Sequence, residues 1–472
     1  MLFEKLERHS SRIAVINGDD EALTFIDLIK MSKQIRSNIK KRSLIFLLGE
    51  NSIESLAGYI AFVNSGCVIM LINSQIKDDD LYSLYNKYLP DFMWCNKKIT
   101  LNFTGKYFST IINIGQFQLL ENNKKIEFSM DENLMLLLST SGSLGDPKCV
   151  KLTYKNIKKN SSDIIDYLKI DSKDRTITTL PINYSYGLSI INTHLIAGAS
   201  IILNKKTLID KDFWKMFYKN KVNNFNGVPY TFEILRKIGY SKLFLNKIKY
   251  ITQAGGKMNE NIISEIYEKS IKSGTKFYIM YGQTEASPRM SYINVNEHPD
   301  KIRSIGKSIQ GGMFSLQDHK GNEIKKNDET GELVYHGENV FMGYSFNFHD
   351  LNKKNEIQNK LQTGDLAKRD SDGYYYIVGR KKRFIKLYGD RINLDYLEIK
   401  LKSKNLKAAC LGNDDQLIIF YAAGKKKKVS KHNISKTINI PESRFKLIEL
   451  ENLPLNENKK ISYAKLNKMV QQ

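Results

Sequence analysis

Two mostly parallel α/β sheets, a small β-rich subdomain and a small α+β C-terminal domain make up the fold class that this 472-residue sequence predicts. Three observations carry the prediction. Strand-like runs alternate with helix-like stretches from about Ser43 to Met280, the pattern of parallel sheets covered on both faces. After about Lys301 the pattern changes to short strands and turn signals. A charged stretch without core periodicity, Arg380 to Arg383, then precedes a separate α+β segment.

The first βαβ unit reads as strand Leu44 to Leu48, amphipathic helix Ile53 to Val63 and strand Cys67 to Ile72. A second series has strand-like runs at Thr176 to Leu180, Ile201 to Leu203, Asn223 to Asn226, Tyr250 to Thr252 and Lys276 to Met280, with a helix at Glu260 to Lys272. Gly311 to Tyr344 reads as short strands around a turn at Asp318 to Asn322, within a β-rich subdomain of about 302–378. The last segment reads as helix Leu394 to Lys402, strand Gln416 to Ala422 and a closing helix from about Ile461. The expected domains are therefore 1–381 and 382–472.

Composition excludes several function classes. Apolar content of 41% and aromatic content of 11% are those of a folded protein. A formal net charge of +23 suits nucleic acid only if the cations cluster, and here they are spread. The one dense run, Lys425 to Lys428, reads as a solvated turn. Cys67, Cys95, Cys149 and Cys410 lack metal-ligand or redox spacing, so reduced thiols and a cytoplasmic location are expected. Met1 opens into a mixed polar helix rather than a leader. The apolar stretch Ile53 to Ile72 is broken by Asn64, Ser65 and Gly66, which suits a buried helix and strand rather than a membrane span.

Ser139-Thr140-Ser141-Gly142-Ser143-Leu144-Gly145-Asp146-Pro147-Lys148 is the first stretch suited to chemistry. Its glycines let backbone N–H groups converge, its hydroxyls add donors and Lys148 adds charge, which together suit nucleotide phosphates. It is not a Walker loop, because its lysine follows proline and a strand comes next. A Ser/Gly hairpin turn is the competing reading. Four further stretches are Tyr281-Gly282-Gln283-Thr284-Glu285, Thr363-Gly364-Asp365, Gly379-Arg380 with Lys386, Gly389 and Arg391, and Asn458-Lys459-Lys460.

Taken in order, these five stretches resemble the signatures of the adenylate-forming (AMP-binding) superfamily: acyl-CoA synthetases, luciferase-like enzymes and peptide-synthetase adenylation domains. The resemblance implies an ATP-dependent acid–thiol ligase that forms an acyl-adenylate with release of pyrophosphate, then a thioester. It implies ATP and Mg2+ as cofactors and coenzyme A or phosphopantetheine as thiol acceptor. Thr140, Ser141, Gly142, Ser143, Gly145 and Lys148 would hold phosphates. Tyr281, Gly282, Gly255 and Gly256 would accept the nucleotide, Asp365 the ribose hydroxyls, and Arg380 the ribose and phosphate side. Thr284 would contact the α-phosphate, and Glu285 is a hard oxygen ligand of the kind magnesium needs. Lys460 would bridge the acid's carboxylate and the α-phosphate, offsetting negative charge as attack occurs. The small domain would be mobile about a hinge at Lys382, with Lys386 and Gly389 lining the thiol tunnel.

Three departures stand out. Asn393 replaces a common glutamate and Cys149 replaces a glycine, and neither removes an atom that the implied chemistry needs. Cys149, with no adjacent base, reads as a packing residue. Lys459 replaces the glycine of the last signature, at a cost if that turn is left-handed. The acid pocket would be lined by Asn183, Tyr184, Ser185, Tyr186, Gly227 and Val228, by Ala254 to Lys257, and by residues just after Glu285. No aspartate sits where amino-acid-activating relatives place one, which weighs against an α-amino acid, and the polar, tyrosine-lined pocket suits a small or hydroxylated acid better than a long fatty chain. No carrier domain follows Gln472, so free coenzyme A or a separate acyl carrier protein is the expected partner, with no nucleic acid and no integral membrane segment. The alternative is an adenylate-forming fold that has lost turnover and acts as a nucleotide-binding protein.

Overall fold

The computed structural model describes residues 2–18, 21–99, 104–124, 126–139, 148–245, 247–381, 383–387, 390–412, 416–422, 429–456 and 459–471. The chain divides into two compact units: Met1–Thr140, Pro147–Met313 and His336–Leu361 contribute to one, and Phe314–Tyr335 and Gln362–Gln472 to the other.

An eight-stranded sheet of the first unit has Leu134–Ser139, Val68–Asn73, Leu44–Gly49 and Phe92–Asn96 running parallel at its centre. Every residue of Leu44–Gly49 is buried, so an unbroken apolar run specifies a strand covered on both faces. The helix Ile53–Asn64 that links two of these strands is buried along most of its length, and the Ser52 hydroxyl caps it by accepting from the Ser55 N–H. Antiparallel strands close both edges: Cys149–Thr153 and Gly343–Ser345 on one side, Phe117–Asn122 and Phe108–Ile114 on the other.

The nine-stranded sheet has six parallel strands, in the spatial order Lys276–Tyr281, Tyr250–Gln253, Asn224–Gly227, Arg175–Ile177, Ser200–Leu203 and Ile13–Asn17. Ala22–Thr24, Ser291–Asn294 and Lys307–Ser308 join antiparallel at its ends. The α/β expectation therefore holds, with parallel strands central and antiparallel ones peripheral. The opening of the chain differs from expectation. A short 3-10 turn at Leu6–His9 leads at once into strand Ile13–Asn17, because that strand finds its partner in Ser200–Leu203.

Strands of the segment 302–378 enter three sheets. Lys307–Ser308 and Gly343–Ser345 edge the two large ones, while Met313–Gln317, Gly331–His336 and Lys360–Arg369 form a four-stranded sheet with Tyr375–Arg380. The turn at Asp318 is as expected, with its carboxylate accepting from the N–H groups of Lys320 and Asn322 at 2.8 and 2.9 Å. The C-terminal part of the second unit has a three-stranded sheet, Ala408–Gly412, Leu417–Ala422 and Phe445–Leu450, with helices Leu394–Ser403, Lys431–Ile438 and Tyr463–Gln471.

No helix among the described residues is long and apolar enough to cross a membrane. All four cysteines are free and buried. Burial pushes the Cys149 thiol up to about 11, which makes it a packing residue rather than a nucleophile.

Candidate active site

Arg175–Ile177, Asn224–Gly227, Tyr250–Gln253 and Lys276–Tyr281 are parallel, so the segments that follow them leave from one edge of the sheet. Ligands of open α/β sheets collect at such an edge. The side chains there do meet. The Ser185 and Thr284 hydroxyls share a hydrogen bond of 3.2 Å. A Cβ on Gly255, at φ +88°, would lie 2.6 Å from the Tyr184 hydroxyl and 3.2 Å from a Val228 methyl. On Gly282 it would lie 1.7 Å from the Pro288 carbonyl oxygen, so only glycine lets the two arms of this loop close on each other. Asn183 Oδ1 is buried there without a hydrogen-bond partner. Gly227 packs against Thr231 and Phe232, and Gly256 presents its carbonyl to the Gln253 side chain at 2.8 Å. Tyr281 ends its strand half-buried.

Glu285 lies in the 3-10 turn Thr284–Ala286, and its carboxylate accepts a 2.9 Å hydrogen bond from the Tyr344 hydroxyl. Burial and the neighbouring Glu285 charge push the Tyr344 pKa up, so it stays a donor. The Lys148 ammonium sits 3.7 Å from the centre of the same ring. One tyrosine thus joins the last residue of the Ser/Gly-rich stretch to the carboxylate of the Tyr-Gly-Gln-Thr-Glu stretch. Among the described residues no group of three or more His, Cys, Asp or Glu could cage a metal. A single carboxylate fits magnesium, which keeps waters and takes the rest of its ligands from substrate phosphates.

Behind Tyr186 lies a buried polar chain. The Tyr186 and Thr252 hydroxyls are 2.7 Å apart, Thr252 donates to Asn226 Oδ1 at 2.6 Å, and Asn226 Nδ2 donates to Asn224 Oδ1 at 3.1 Å. Asn224 Nδ2 in turn faces His194 Nε2 at 3.3 Å, while His194 Nδ1 meets the Ile190 carbonyl at 2.8 Å. Burial pushes His194 down to about 4, so it is neutral, with Nδ1 donating and Nε2 accepting. This chain fixes the Tyr186 ring, over which the Arg289 guanidinium lies at 4.1 Å. Arg289 is buried, and no carboxylate among the described residues pairs with it. A desolvated cation–π contact contributes about 2 kcal/mol, less than the several kcal/mol that burying an ion costs.

In the second unit Asp365 and Arg380 face each other across paired strands, with Arg380 Nε 3.1 Å from Asp365 Oδ1. Gly364 has φ +72°, and the Thr363 hydroxyl accepts from the Asp365 N–H at 3.1 Å while donating to the Leu333 carbonyl at 2.7 Å. The Asp365 backbone is therefore held by its own turn, and its buried carboxylate meets Arg380 across the strand pair. Lys460 is exposed on a different turn, closed by Asn456 N–H to Lys460 carbonyl (2.7 Å) and Lys460 N–H to Asn456 Oδ1 (2.9 Å). Lys459 in that turn has φ +58°, the left-handed conformation in which a lysine costs about 1 kcal/mol relative to glycine. Lys459→Gly is accordingly expected to stabilise the second unit by about 1 kcal/mol, measured by urea denaturation of the full chain, and no change would show the turn relaxed.

Thr140, Ser141, Gly142, Ser143 and Gly145 lie outside the described residues, as do Lys382, Gly389, Asn458 and the run Lys425 to Lys428. Lys386 is described by its backbone alone, paired with Arg391 in the hairpin Phe384–Leu387 and Asp390–Asn393. Sequence reasoning did not single out Tyr344 or Arg289. A tyrosine on a short edge strand and an arginine four residues beyond a signature glutamate were the signals available.

The AMP-binding enzyme family model matches residues 2–345. Gramicidin S synthase 2 of Brevibacillus brevis is 24% identical over 98% of this chain, which spans only 11% of that protein's length. The 2-succinylbenzoate–CoA ligase of Bacillus cytotoxicus is 23% identical over 98% of this chain and 96% of its own. The solved structure of o-succinylbenzoate CoA synthetase from Bacillus subtilis, in complex with the acyl-adenylate intermediate OSB-AMP, has a TM-score of 0.79 at 20% identity. That match covers 98% of this chain and 97% of the other, and is a likeness of fold.

Proposed function

Since the chain belongs to the AMP-binding enzyme family, we propose that it is an ATP-dependent carboxylic acid ligase, which forms an acyl-adenylate and then a thioester with coenzyme A or a separate carrier protein. The observation that carries this reading is the cluster of Ser185, Thr284, Glu285, Tyr344 and Lys148 at the edge where four parallel strands end. Full-length likeness to a relative named as a CoA ligase supports the thiol step.

In the adenylation step an oxygen of the acid's carboxylate bonds to the α-phosphorus of ATP, and pyrophosphate leaves with the electrons of the broken P–O bond. Thr284 donates to the α-phosphate, and Ser185 holds the Thr284 hydroxyl in place. Gly282 brings backbone close to the nucleotide, whose adenine lies on Tyr281 with Gly255 and Gly256 beside it. Asp365 accepts the ribose hydroxyls, with Arg380 beside it. Lys148 and the hydroxyls of the 140s stretch hold the terminal phosphates. Magnesium, when bound at Glu285, offsets phosphate charge. Lys460 neutralises the carboxylate as it approaches the α-phosphate. The domain boundary at 381/382 serves as a hinge at Lys382, about which the small domain turns for thioester formation, when Lys386 and Gly389 line the thiol tunnel.

Acid-dependent exchange of pyrophosphate into ATP, measured over a library of carboxylic acids and repeated with coenzyme A and with carrier proteins, tests both halves. Exchange with short polar acids, followed by thioester formation, is expected. Nucleotide binding with no exchange for any acid would instead favour a fold that has lost turnover. Activity confined to long-chain acids would overturn the small, polar pocket.

A further inference from the structure

Arg289 is 3% exposed, and its Nε has no hydrogen-bond partner. Its guanidinium lies over the Tyr186 ring at 4.1 Å, and no carboxylate among the described residues pairs with it. Tyr250 carries a second orphan: its hydroxyl is buried and unpartnered, and burial keeps it protonated and therefore a donor. Both residues line one cavity, together with Ser189, Thr193, Asn226 and Met280. The Ser189 and Thr193 protons are already given to the carbonyls of Tyr186 and Ile190, at 2.7 and 3.0 Å. The cavity thus offers a cation and an unused hydroxyl donor to the same space. An unpaired buried ion and an unmade hydrogen bond are both unfavourable, and one anionic acceptor relieves both.

The cavity reaches the active-site edge at Tyr186, Met280 and Arg289 and extends under the sheet to Tyr250, the first residue of its strand. Arg289 follows Glu285 in the same loop, and its Cα would lie 3.1 Å from a Cβ on Gly282. Tyr186, under the guanidinium, adjoins Ser185, whose hydroxyl meets Thr284. An acid with one carboxylate at Thr284 therefore has its far end toward Arg289. The free space is about 10 Å3, of the order of one water, so the far end must be compact, and the Met280 thioether, which accepts from the Tyr167 hydroxyl at 2.9 Å, must give way to admit it.

Resting on the ligase reading, we infer that Arg289 and Tyr250 form a subsite for a second anionic group, so that the acid activated by this chain is a short dicarboxylic acid held at its far end by Arg289. The monocarboxylic analogue leaves the cation unpaired, which makes this a specificity-determining contact rather than a catalytic one.

The test pairs malonate, succinate and glutarate with their monomethyl esters in acid-dependent pyrophosphate exchange. The expected result is a preference of about 100-fold or more in kcat/KM for at least one diacid over its ester, removed by Arg289→Met and partly kept by Arg289→Lys. A thermal shift on adding the diacid, present in the parent and absent in Arg289→Met, reads binding without turnover. The parent's selectivity needs no variant, so a misfolded substitution does not blunt the test. Equal use of diacid and ester by the parent, or a preference that survives Arg289→Met, overturns this inference while leaving the ligase reading intact. Exchange with no acid at all overturns both.

Discussion

Lys460→Ala is expected to slow acid-dependent adenylate formation by about 100- to 1000-fold while ATP binding stays within a few-fold of the parent. The expectation follows from charge. As a carboxylate nears an α-phosphate two anions crowd together, and a cation placed between them is worth more in that arrangement than in either separated reactant. The turn that carries Lys460 is built from its backbone, the Asn456 side chain and the bridge between Leu455 and Ile461. Truncating the exposed side chain therefore leaves that turn intact. Single-turnover formation of acyl-adenylate, beside ATP binding by calorimetry, separates the two effects. An unchanged adenylation rate in Lys460→Ala would remove the residue from the chemistry. Loss of ATP binding in equal measure would make it a nucleotide ligand instead.

The fold was legible in sequence where burial is two-sided. Leu44–Gly49 and Val68–Asn73 are apolar on both faces, so composition marks these strands, while the helix between them, expected to be amphipathic, is buried almost all round because both of its sides are covered. Ile13–Asn17 was not legible, because its strand character comes from pairing with Ser200–Leu203, a segment far along the chain. Phe108–Ile114 is an edge strand with most of its middle exposed, and carries little hydrophobic signal. In the candidate site, Thr284, Glu285 and Lys148 were found from motifs and Ser185 as an expected pocket residue, and the structure brings Ser185 to Thr284 and Lys148 to Glu285 through Tyr344. Tyr344 was invisible because it reaches Glu285 only through the antiparallel pairing of Gly343–Ser345 with Cys149–Thr153. Arg289 was invisible for a different reason. Sequence reports that a residue is charged, and burial of that charge without a counter-ion emerges only when Tyr167, Tyr186 and Tyr250 pack around it.

Glu398→Ala should destabilise the C-terminal part of the second unit by about 3–5 kcal/mol, the cost of breaking a buried ion pair from one side. Glu398 is the centre of a cluster that ties four stretches together. It pairs with Arg383, accepts from the Cys410 N–H at 2.7 Å, and accepts from the Tyr463 hydroxyl at 2.8 Å. Arg383 also binds Asp395 at 2.8 Å and the Cys410 carbonyl at 2.9 Å, with its guanidinium 4.0 Å from the centre of the Tyr463 ring. Burial opposes the Arg383 charge, and Glu398 and Asp395 outweigh it, so the arginine stays protonated. Removing Glu398 leaves that cation half-paired and two donors unmatched, which is why the loss exceeds that of an exposed pair such as Lys33 with Glu7. Glu398→Gln keeps the volume and one acceptor, and should cost less. Hydrogen exchange of the full chain reads the effect locally, because faster exchange is expected over Leu394–Ser403, Ala408–Gly412 and Tyr463–Gln471 while Leu44–Gly49 is unchanged. Uniform protection in Glu398→Ala would mean that the apolar core of Leu397, Leu401, Ile419 and Phe445 holds this part of the chain without the cluster. Arg383 directly follows the proposed hinge at Lys382. The cluster around Arg383 fixes the residue after that position to the helices and strands that follow it.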